Sequence, residues 1–356
     1  MTRVALIGLG AMGRNHLRVL SDLEGVQLAA VCDQDARAVE AASAKHSVPG
    51  YRSWDEMLER EKLDAAVVAL PTGFHARAGL AVLEHGLHVL IEKPIASSLD
   101  EGRRLVAAAS EAHKLLAVGH IERFNPAVKE LQRRLAAGEL GRIYQIQARR
   151  LGPFPARIRD VGVVVDLATH DVDVMHHLAA SEVQRLYAET EQRIHTDHED
   201  ILNALLKFES GVQGVLQVNW LTPTKIRELT VLGERGMFVA NYLTQDLKLF
   251  KNADMSAQPG KAGHPKAVIE GESVTFPIPP GEPLKLELQS FTQAVRGERD
   301  LEVDGEAGLR ALHLALALVT SATDGRVIDK TELAALWAGR TVSAARGPNG
   351  PGGDDR

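Results

Sequence analysis

The sequence has one cysteine, no long apolar run and no excess of positive charge. With Cys32 alone, no internal disulfide can form, which fits a reducing compartment. No apolar run approaches the roughly 18 residues that a membrane-spanning helix needs. The formal net charge of −6 argues against attraction to nucleic acid or to an anionic membrane. We therefore expect neither nucleic acid nor a membrane as a partner.

The N-terminus also lacks the basic segment, apolar segment and cleavage site of a secretory signal. We expect no signal peptide and a cytoplasmic protein. The chain of 356 residues is 45% hydrophobic and 25% charged, which is an ordinary globular composition. Because this length exceeds the size at which one core usually stops growing, we expect two domains.

Up to Gly119, short apolar strands alternate with helices. The predicted strands cover residues 4–7, 28–32, 65–70, 87–91 and 115–118. The predicted helices cover residues 12–22, 36–45, 53–61, 74–85 and 99–113. Such alternation predicts a parallel sheet with helices on both faces. We assign residues 1–119 to a doubly wound α/β domain of the Rossmann type.

After Gly119 the strands become longer and alternate polar with apolar residues. The predicted strands cover residues 143–149, 201–208, 212–220 and 229–232, and the predicted helices cover 126–137, 284–296 and 306–323. One-sided alternation predicts an open, mostly antiparallel sheet with one face on helices. We assign residues 120–335 to this α+β domain and interpret residues 336–356 as a disordered tail.

A glycine motif, Gly8-Leu9-Gly10-Ala11-Met12-Gly13, lies between the first predicted strand and the first predicted helix. This context gives the motif its meaning as a dinucleotide site. Gly8 permits the tight turn, Gly10 lets the backbone approach the pyrophosphate, and Gly13 allows close helix packing. The free N–H groups of the helix N-terminus, beginning with Ala11 and Met12, would face the phosphates.

Asp33 ends the second predicted strand, where a carboxylate would accept hydrogen bonds from the adenosine ribose. Its charge would repel a 2′-phosphate, so NAD is favoured over NADP, although Arg37 weighs the other way. A second cofactor segment follows the strand predicted at 65–70, with Pro71, Thr72 and His75 as expected contacts. Thr72 could also cap the next helix, and the two roles are compatible.

The triplet Glu92-Lys93-Pro94 follows the strand predicted at 87–91. The carboxyl edge of a doubly wound sheet is where its ligand lies. The amine of Lys93 could hold a substrate hydroxyl and stabilise a developing alkoxide, and Glu92 could bind the nicotinamide ribose. The alternative is a solvated Lys–Glu pair at a strand end.

Asp166 and His170 have the i, i+4 spacing that places two side chains on one face of a helix. We expect the carboxylate of Asp166 to orient the imidazole of His170, which would act as a general base. A pair on a helix surface is the alternative. Whether His170 or Lys93 is the base stays open.

Two histidine clusters raise the question of a metal. His176 and His177 follow Asp173, and residues 195–200 read His-Thr-Asp-His-Glu-Asp. Neither cluster has the His-Glu-x-x-His spacing of a helical zinc site, so we expect no metal. We interpret residues 195–200 as a polar loop.

Four arginines, Arg149, Arg150, Arg157 and Arg159, fall in a predicted loop at residues 149–160. Arginine binds phosphate oxygens through two hydrogen bonds, so this loop could hold a phosphorylated substrate. A solvated loop is the alternative reading.

Together these motifs resemble the glucose–fructose oxidoreductase/inositol dehydrogenase family (Gfo/Idh/MocA). The resemblance covers about residues 1–335 and rests on the glycine motif, on Glu92-Lys93-Pro94, on Gly119-His120 and on Asp166-x-x-x-His170. It implies an NAD-dependent dehydrogenase acting on a CH–OH group, with Lys93, Asp166 and His170 as the catalytic group. It also implies homodimers or homotetramers formed through the second sheet.

Residues 119–126 and 152–166 are similar to the branch of that family that oxidises UDP-N-acetylglucosamine at C3 to the 3-keto sugar. The resemblance implies that the arginine loop, with Arg157 and Arg159, binds the diphosphate or nearby anionic groups and that His120, Arg123 and Asn125 face the sugar. Two other functions remain open: dehydrogenation of a free sugar, sugar acid or cyclitol, and NAD sensing without turnover.

Overall fold

The computed structural model describes residues 1–155, 161–195, 197–253 and 270–340, and its first sheet has six parallel strands. These strands are β1 (Thr2–Ile7), β2 (Val26–Cys32), β3 (Gly50–Tyr51), β4 (Ala65–Val68), β5 (His88–Glu92) and β6 (Leu116–Gly119). The helices beside them are α1 (Ala11–Asp22), α2 (Ala36–His46), α3 (Trp54–Arg60), α4 (His75–Glu84) and α5 (Leu99–Glu111). A short 3₁₀ helix covers Thr72–Phe74.

The strand order is β3-β2-β1-β4-β5-β6, so the direction of winding reverses between β1 and β4. Every residue of β4 is buried, because helices cover both faces of the sheet. This burial explains the apolar runs of the sequence and confirms the predicted doubly wound α/β domain. Ligands of such sheets bind beyond the strand ends at the reversal.

The second sheet has nine strands. They are β7 (Ile143–Leu151), β8 (Val183–Glu191), β9 (Ile201–Phe208), β10 (Gln213–Asn219), β11 (Ile226–Gly233), β12 (Gly236–Asn241), β13 (Asp246–Lys251), β14 (Ser273–Phe276) and β15 (Ile328–Asp329). Their order is β14-β13-β12-β11-β7-β10-β9-β8-β15, and all neighbours are antiparallel except β7 and β10. The predicted mostly antiparallel sheet is confirmed, although β8 and the four strands β12 to β15 were not predicted.

One face of this sheet is buried and the other is open. In β9, Leu202, Ala204, Leu206 and Phe208 are buried, whereas Leu205 between them is 59% exposed. The alternation follows from the pleat, which sends successive side chains to opposite faces. We call the buried face the site face, because it meets the helices and the first domain, and we call the other face the open face.

The remaining helices cover the site face and link the two parts of the chain. They are α6 (Pro126–Ala136), α7 (Thr169–Ala179), α8 (Pro283–Val295), α9 (Gly305–Asp324) and α10 (Lys330–Trp337), with a 3₁₀ helix at Ile121–Phe124 and a π-helix at Val164–Ala168. Leu284, Leu288 and Phe291 of α8 pack in the core of the first domain. The chain therefore returns to the first domain after the boundary predicted at residue 119.

A further prediction concerns the tail. α10 ends at Trp337, inside the tail predicted from residue 336, and residues 341–356 lie outside the described part.

Within the described ranges, no helix is both long enough and apolar enough to cross a membrane. The same part of the chain holds no group of His, Cys, Asp and Glu that could bind a metal ion.

Candidate active site

The loop between β1 and α1 leaves room for a ligand at one glycine only. A Cβ atom on Gly8, whose φ is +103°, would lie 2.3 Å from Ala69 O, and one on Gly13 would lie 2.0 Å from Gly8 O. Gly10, in contrast, faces open space, with nothing within 4 Å of its hypothetical Cβ. No side chain caps the α1 N-terminus, which begins at Ala11. Unpaired N–H groups beside open space fit a dinucleotide pyrophosphate.

A cavity of about 440 Å³ opens beside this loop. Its walls include Gly10, Asp33, Trp54 and Pro71. Asp33 Oδ2 accepts a hydrogen bond of 2.6 Å from the Leu9 N–H and thereby also shapes the loop. Four of the predicted cofactor residues, at the ends of β1, β2 and β4, therefore border one cavity: Gly8, Gly10, Asp33 and Pro71.

The segment after β4 combines an open hydroxyl with a buried imidazole. α4 begins at His75 without a side-chain cap, so the alternative that Thr72 caps this helix is wrong. Among the described residues, the Thr72 hydroxyl has no hydrogen-bond partner. His75 is buried, with Nδ1 2.8 Å from Pro94 O and Nε2 2.8 Å from Leu70 O. In this geometry His75 joins the ends of β4 and β5.

Glu92 lies inside the protein. Its Oε1 is 2.8 Å from Nε2 of His16, a buried residue of α1. Burial alone would raise the pKa of Glu92, but the hydrogen bond with His16 and the nearby Lys93 lower it. The carboxylate therefore ties α1 to β5, and its predicted contact with the nicotinamide ribose remains a prediction.

Lys93 joins the two domains at the chemical site. Its Nζ donates hydrogen bonds of 2.9 Å to Asp166 Oδ1 and 2.6 Å to the Asp166 backbone oxygen. The peptide bond between Lys93 and Pro94 is cis. The side chains of Lys93 and Asp166 are about one-sixth exposed, at 16% and 17%. This pairing places an amine and a carboxylate together at the carboxyl edge of β5.

His170 does not have the partner that the sequence predicted. Asp166 lies in the π-helix and His170 in α7, and no hydrogen bond joins them because Asp166 binds Lys93 instead. The predicted orientation of His170 by Asp166 is therefore not observed. His170 Nδ1 is buried without a partner among the described residues. Burial and the charges of Lys93 and Arg150 hold the pKa of His170 well below its ordinary value, so the imidazole is neutral.

The three residues expected to face the sugar are buried after β6. Arg123 donates to both carboxylate oxygens of Asp173, at 2.7 and 2.5 Å. Asn125 caps α6 and donates a hydrogen bond of 3.1 Å to Tyr242 O. Both nitrogens of His120 are buried without a hydrogen-bond partner in the described structure. Of the three, only His120 has buried side-chain atoms without a hydrogen bond in the part of the chain that the structure describes.

Two arginines of the predicted loop belong to a strand instead. β7 runs to Leu151, two residues beyond the strand predicted at 143–149, so the loop predicted at 149–160 is wrong at Arg149 and Arg150. Arg150 lies on the site face, where it binds Asp171 at 2.7 and 3.0 Å and Glu122 at 2.8 Å. Arg149 lies on the open face, 3.5 Å from Glu228. Strand alternation separates the two neighbours, because adjacent residues point to opposite faces.

The remaining predicted phosphate contacts, Arg157 and Arg159, lie outside the described residues, so their role stays a prediction. A different arginine, Arg227 of β11, belongs to none of the sequence motifs. Arg227 shares the site face with Leu229 and Val231, both fully buried. The alternation of this strand was the signal that could have placed Arg227 on the inward side.

The polar loop predicted at residues 195–200 is confirmed over its described residues, which form no helix or strand. Asp200 accepts hydrogen bonds from the N–H groups of Arg193, Ile194 and His195, at 2.6 to 3.1 Å. Glu199 Oε1 accepts a bond of 3.1 Å from the N–H of Val164. The loop therefore supports the π-helix that carries Asp166.

Sequence comparison matches both parts of the chain to one family. Residues 2–120 match an oxidoreductase family with an NAD-binding Rossmann fold, and residues 128–239 match the Gfo/Idh/MocA C-terminal domain. UDP-N-acetylglucosamine 3-dehydrogenase of Acidithiobacillus ferrooxidans is 28% identical over 314 residues, which are 88% of this chain and 95% of that enzyme. The NAD⁺-dependent scyllo-inositol 2-dehydrogenase of Bacillus subtilis is 26% identical, over 91% of this chain and 94% of its own.

Solved structures give the same family. The structure of the Acidithiobacillus enzyme superposes with a TM-score of 0.81 at 27% identity and covers 91% of this chain and 98% of its own. The WlbA dehydrogenase of Bordetella pertussis, in complex with NADH and UDP-GlcNAcA, superposes with a TM-score of 0.76 at 27% identity. That match covers 92% of this chain and 98% of the Bordetella chain.

Proposed function

Because the chain belongs to the Gfo/Idh/MocA oxidoreductase family of NAD(P)-dependent sugar and cyclitol dehydrogenases, we propose that it oxidises UDP-N-acetylglucosamine at C3. The product would be the 3-keto sugar. The observation that carries the proposal is the Lys93–Asp166 pair beside a half-buried, neutral His170 at the cofactor edge of the first sheet. The similarity to the Acidithiobacillus enzyme supports the choice of sugar.

Oxidation of an alcohol removes a proton from its hydroxyl group and a hydride from the carbon that bears it. The residues of this chain act on the hydroxyl and its proton. Lys93, held by Asp166, donates a hydrogen bond to the substrate hydroxyl and stabilises the negative charge that develops on its oxygen. His170 accepts the hydroxyl proton at Nε2, since its Nδ1 is buried. When bound, NAD⁺ would supply the acceptor for the hydride that leaves the carbon bearing this hydroxyl.

NAD is the proposed cofactor, with Asp33 as the selecting residue. The open space at Gly10 and the uncapped helix N-terminus suit the pyrophosphate, which both cofactors share. Asp33 lines the same cavity, and a carboxylate at the end of β2 repels a 2′-phosphate. The proposed cytoplasmic location fits a chain with one buried cysteine.

The experiment is NADH formation, followed by absorbance, with UDP-N-acetylglucosamine and NAD⁺. A parallel panel contains free N-acetylglucosamine, a sugar acid and myo-inositol, and a second series replaces NAD⁺ by NADP⁺. We expect the highest kcat/KM for the nucleotide sugar with NAD⁺. Higher kcat/KM for inositol would favour the cyclitol alternative, which the Bacillus relative supports. NAD binding without turnover of any sugar would contradict the proposed activity.

The open face of the second sheet is the proposed contact between copies of this chain. Leu205, Leu232 and Phe250 are 39–59% exposed there, and Val215 pairs directly with Leu205 across β9 and β10. Exposed apolar patches of this kind on a sheet mark association surfaces. We propose a homodimer or homotetramer through this face.

A further inference from the structure

Arg227 is an arginine on the site face whose bonds, among described residues, go to the backbone. Its Nη1 donates hydrogen bonds of 2.6 Å to Leu151 O and 2.9 Å to Ile226 O. Arg227 is only partly exposed. These bonds fix where the side chain lies and give its positive charge no carboxylate as a hydrogen-bond partner in the described residues.

In the described ranges, no carboxylate forms an ion pair with Arg227. The other cations of the site differ: Arg150 binds Asp171 at 2.7 Å, and Lys93 binds Asp166 at 2.9 Å. Burial, together with the neighbouring charge of Arg150, lowers the pKa of Arg227. Arginine nevertheless stays charged at neutral pH, so the folded protein carries the cost of a poorly compensated cation.

The position of Arg227 places this charge next to the chemistry. Arg227 pairs with Arg150 in the register of β11 and β7. Arg150 in turn holds Asp171, the residue after His170. The positive charge of Arg227 also helps to lower the pKa of His170, and the negative charge of Asp166 opposes the lowering of the pKa of Arg227. The cation thus borders the catalytic group on the side of the second domain.

We propose that Arg227 binds an anionic group of the sugar substrate, either a diphosphate or a carboxylate, and so selects charged sugars over neutral ones. The planar guanidinium suits both oxyanions because each presents paired oxygens. This inference deepens the proposed function and rests on it. It names a binding residue in the described structure that none of the sequence motifs contains.

The test compares wild type with Arg227→Gln on four substrates. UDP-N-acetylglucosamine carries the diphosphate, glucuronic acid the carboxylate, UDP-N-acetylglucosaminuronic acid both, and N-acetylglucosamine neither. For the anion that Arg227 binds, we expect KM to rise roughly 10- to 100-fold, which corresponds to the loss of a charged hydrogen bond, with little change in kcat. KM for N-acetylglucosamine should stay unchanged. Arg227→Lys should restore part of the affinity.

The pattern across substrates identifies the anion. A KM effect on both UDP sugars but not on glucuronic acid assigns the diphosphate, and an effect confined to the two acids assigns the carboxylate. Arg235→Gln is the matched control, because Arg235 is exposed and also donates to a backbone oxygen, Gly138 O at 3.1 Å. Equal KM changes for neutral and charged sugars, or no change for any, would overturn the inference.

A binding measurement separates this inference from the proposed activity. Calorimetry with UDP and with glucuronate, on wild type and on Arg227→Gln, needs no turnover. If wild type binds one anion and Arg227→Gln loses that binding while no sugar is oxidised, the activity is refuted and the anion site stands. If sugars are oxidised and both proteins bind each anion equally, only the anion site is refuted.

Discussion

The two halves of the site are built from different parts of the amino acids. At the nucleotide half, the surface is backbone: Gly8 and Gly13 let protein segments pack closely, Gly10 leaves open space, and the start of α1 offers free N–H groups. At the chemical half, the surface is side chain, with Lys93 held by Asp166 across the domain boundary. The nucleotide half therefore depends on the side-chain atoms that its glycines lack, and the chemical half depends on how its charged side chains are paired.

The largest expected effect comes from removing one side chain of the chemical half. His170→Ala should lower kcat by about 10²- to 10⁴-fold, the usual contribution of a general base, while the affinity for NAD stays within error. Lys93→Met should lower kcat comparably, because the hydroxyl loses its hydrogen-bond donor. Stopped-flow hydride transfer and NAD calorimetry would measure the two quantities. His85→Ala, at an exposed histidine of the first domain, is the control.

The pH profile sharpens the same prediction. Only the neutral imidazole accepts a proton, and burial beside Lys93 and Arg150 lowers the pKa of His170. Activity should therefore be full above the ordinary histidine pKa and fall only at lower pH. An acid limb above pH 6.5, or wild-type kcat in His170→Ala, would exclude His170 as the base.

The second effect comes from adding one methyl group to the nucleotide half. Gly10→Ala should fold normally, because nothing lies within 4 Å of the added Cβ, yet weaken NAD binding roughly 10- to 100-fold by blocking the pyrophosphate. Gly13→Ala should lower the free energy of unfolding by about 1–3 kcal/mol as well, since its Cβ would lie 2.0 Å from Gly8 O. Thermal unfolding and NAD calorimetry on both variants test the distinction. Equal stability losses would refute it.

The smallest expected effect on catalysis concerns the open face of the second sheet. Leu205→Asp should shift the sedimentation coefficient towards the monomer, because a buried charge at an apolar interface is costly, and should change kcat little. Leu243→Asp is the control, since Leu243 is 54% exposed but lies in the turn between β12 and β13. An unchanged oligomer in Leu205→Asp would place the contact elsewhere.

The part of the site that could be predicted from sequence is the part with local causes. The glycine motif works through steric exclusion between near neighbours, so its role follows from spacing. Asp33 was likewise placed at the cavity because β2 ends there. The contacts of Glu92 with His16, 76 residues away, and of Arg150 with Asp171 and Glu122 have no such signal. They depend on which strand ends and helices meet.

By itself, the sequence determined the doubly wound sheet, the one-sided second sheet and the glycine cradle, because each follows from a short-range repeat of burial or of missing side chains. Only the tertiary structure decided how the charges pair. Asp166 and His170 are four residues apart in the chain, yet Asp166 binds Lys93, which comes from the other domain. Arg227 forms no ion pair in the described structure for the same reason, because folding brings backbone oxygens rather than a carboxylate into contact with it.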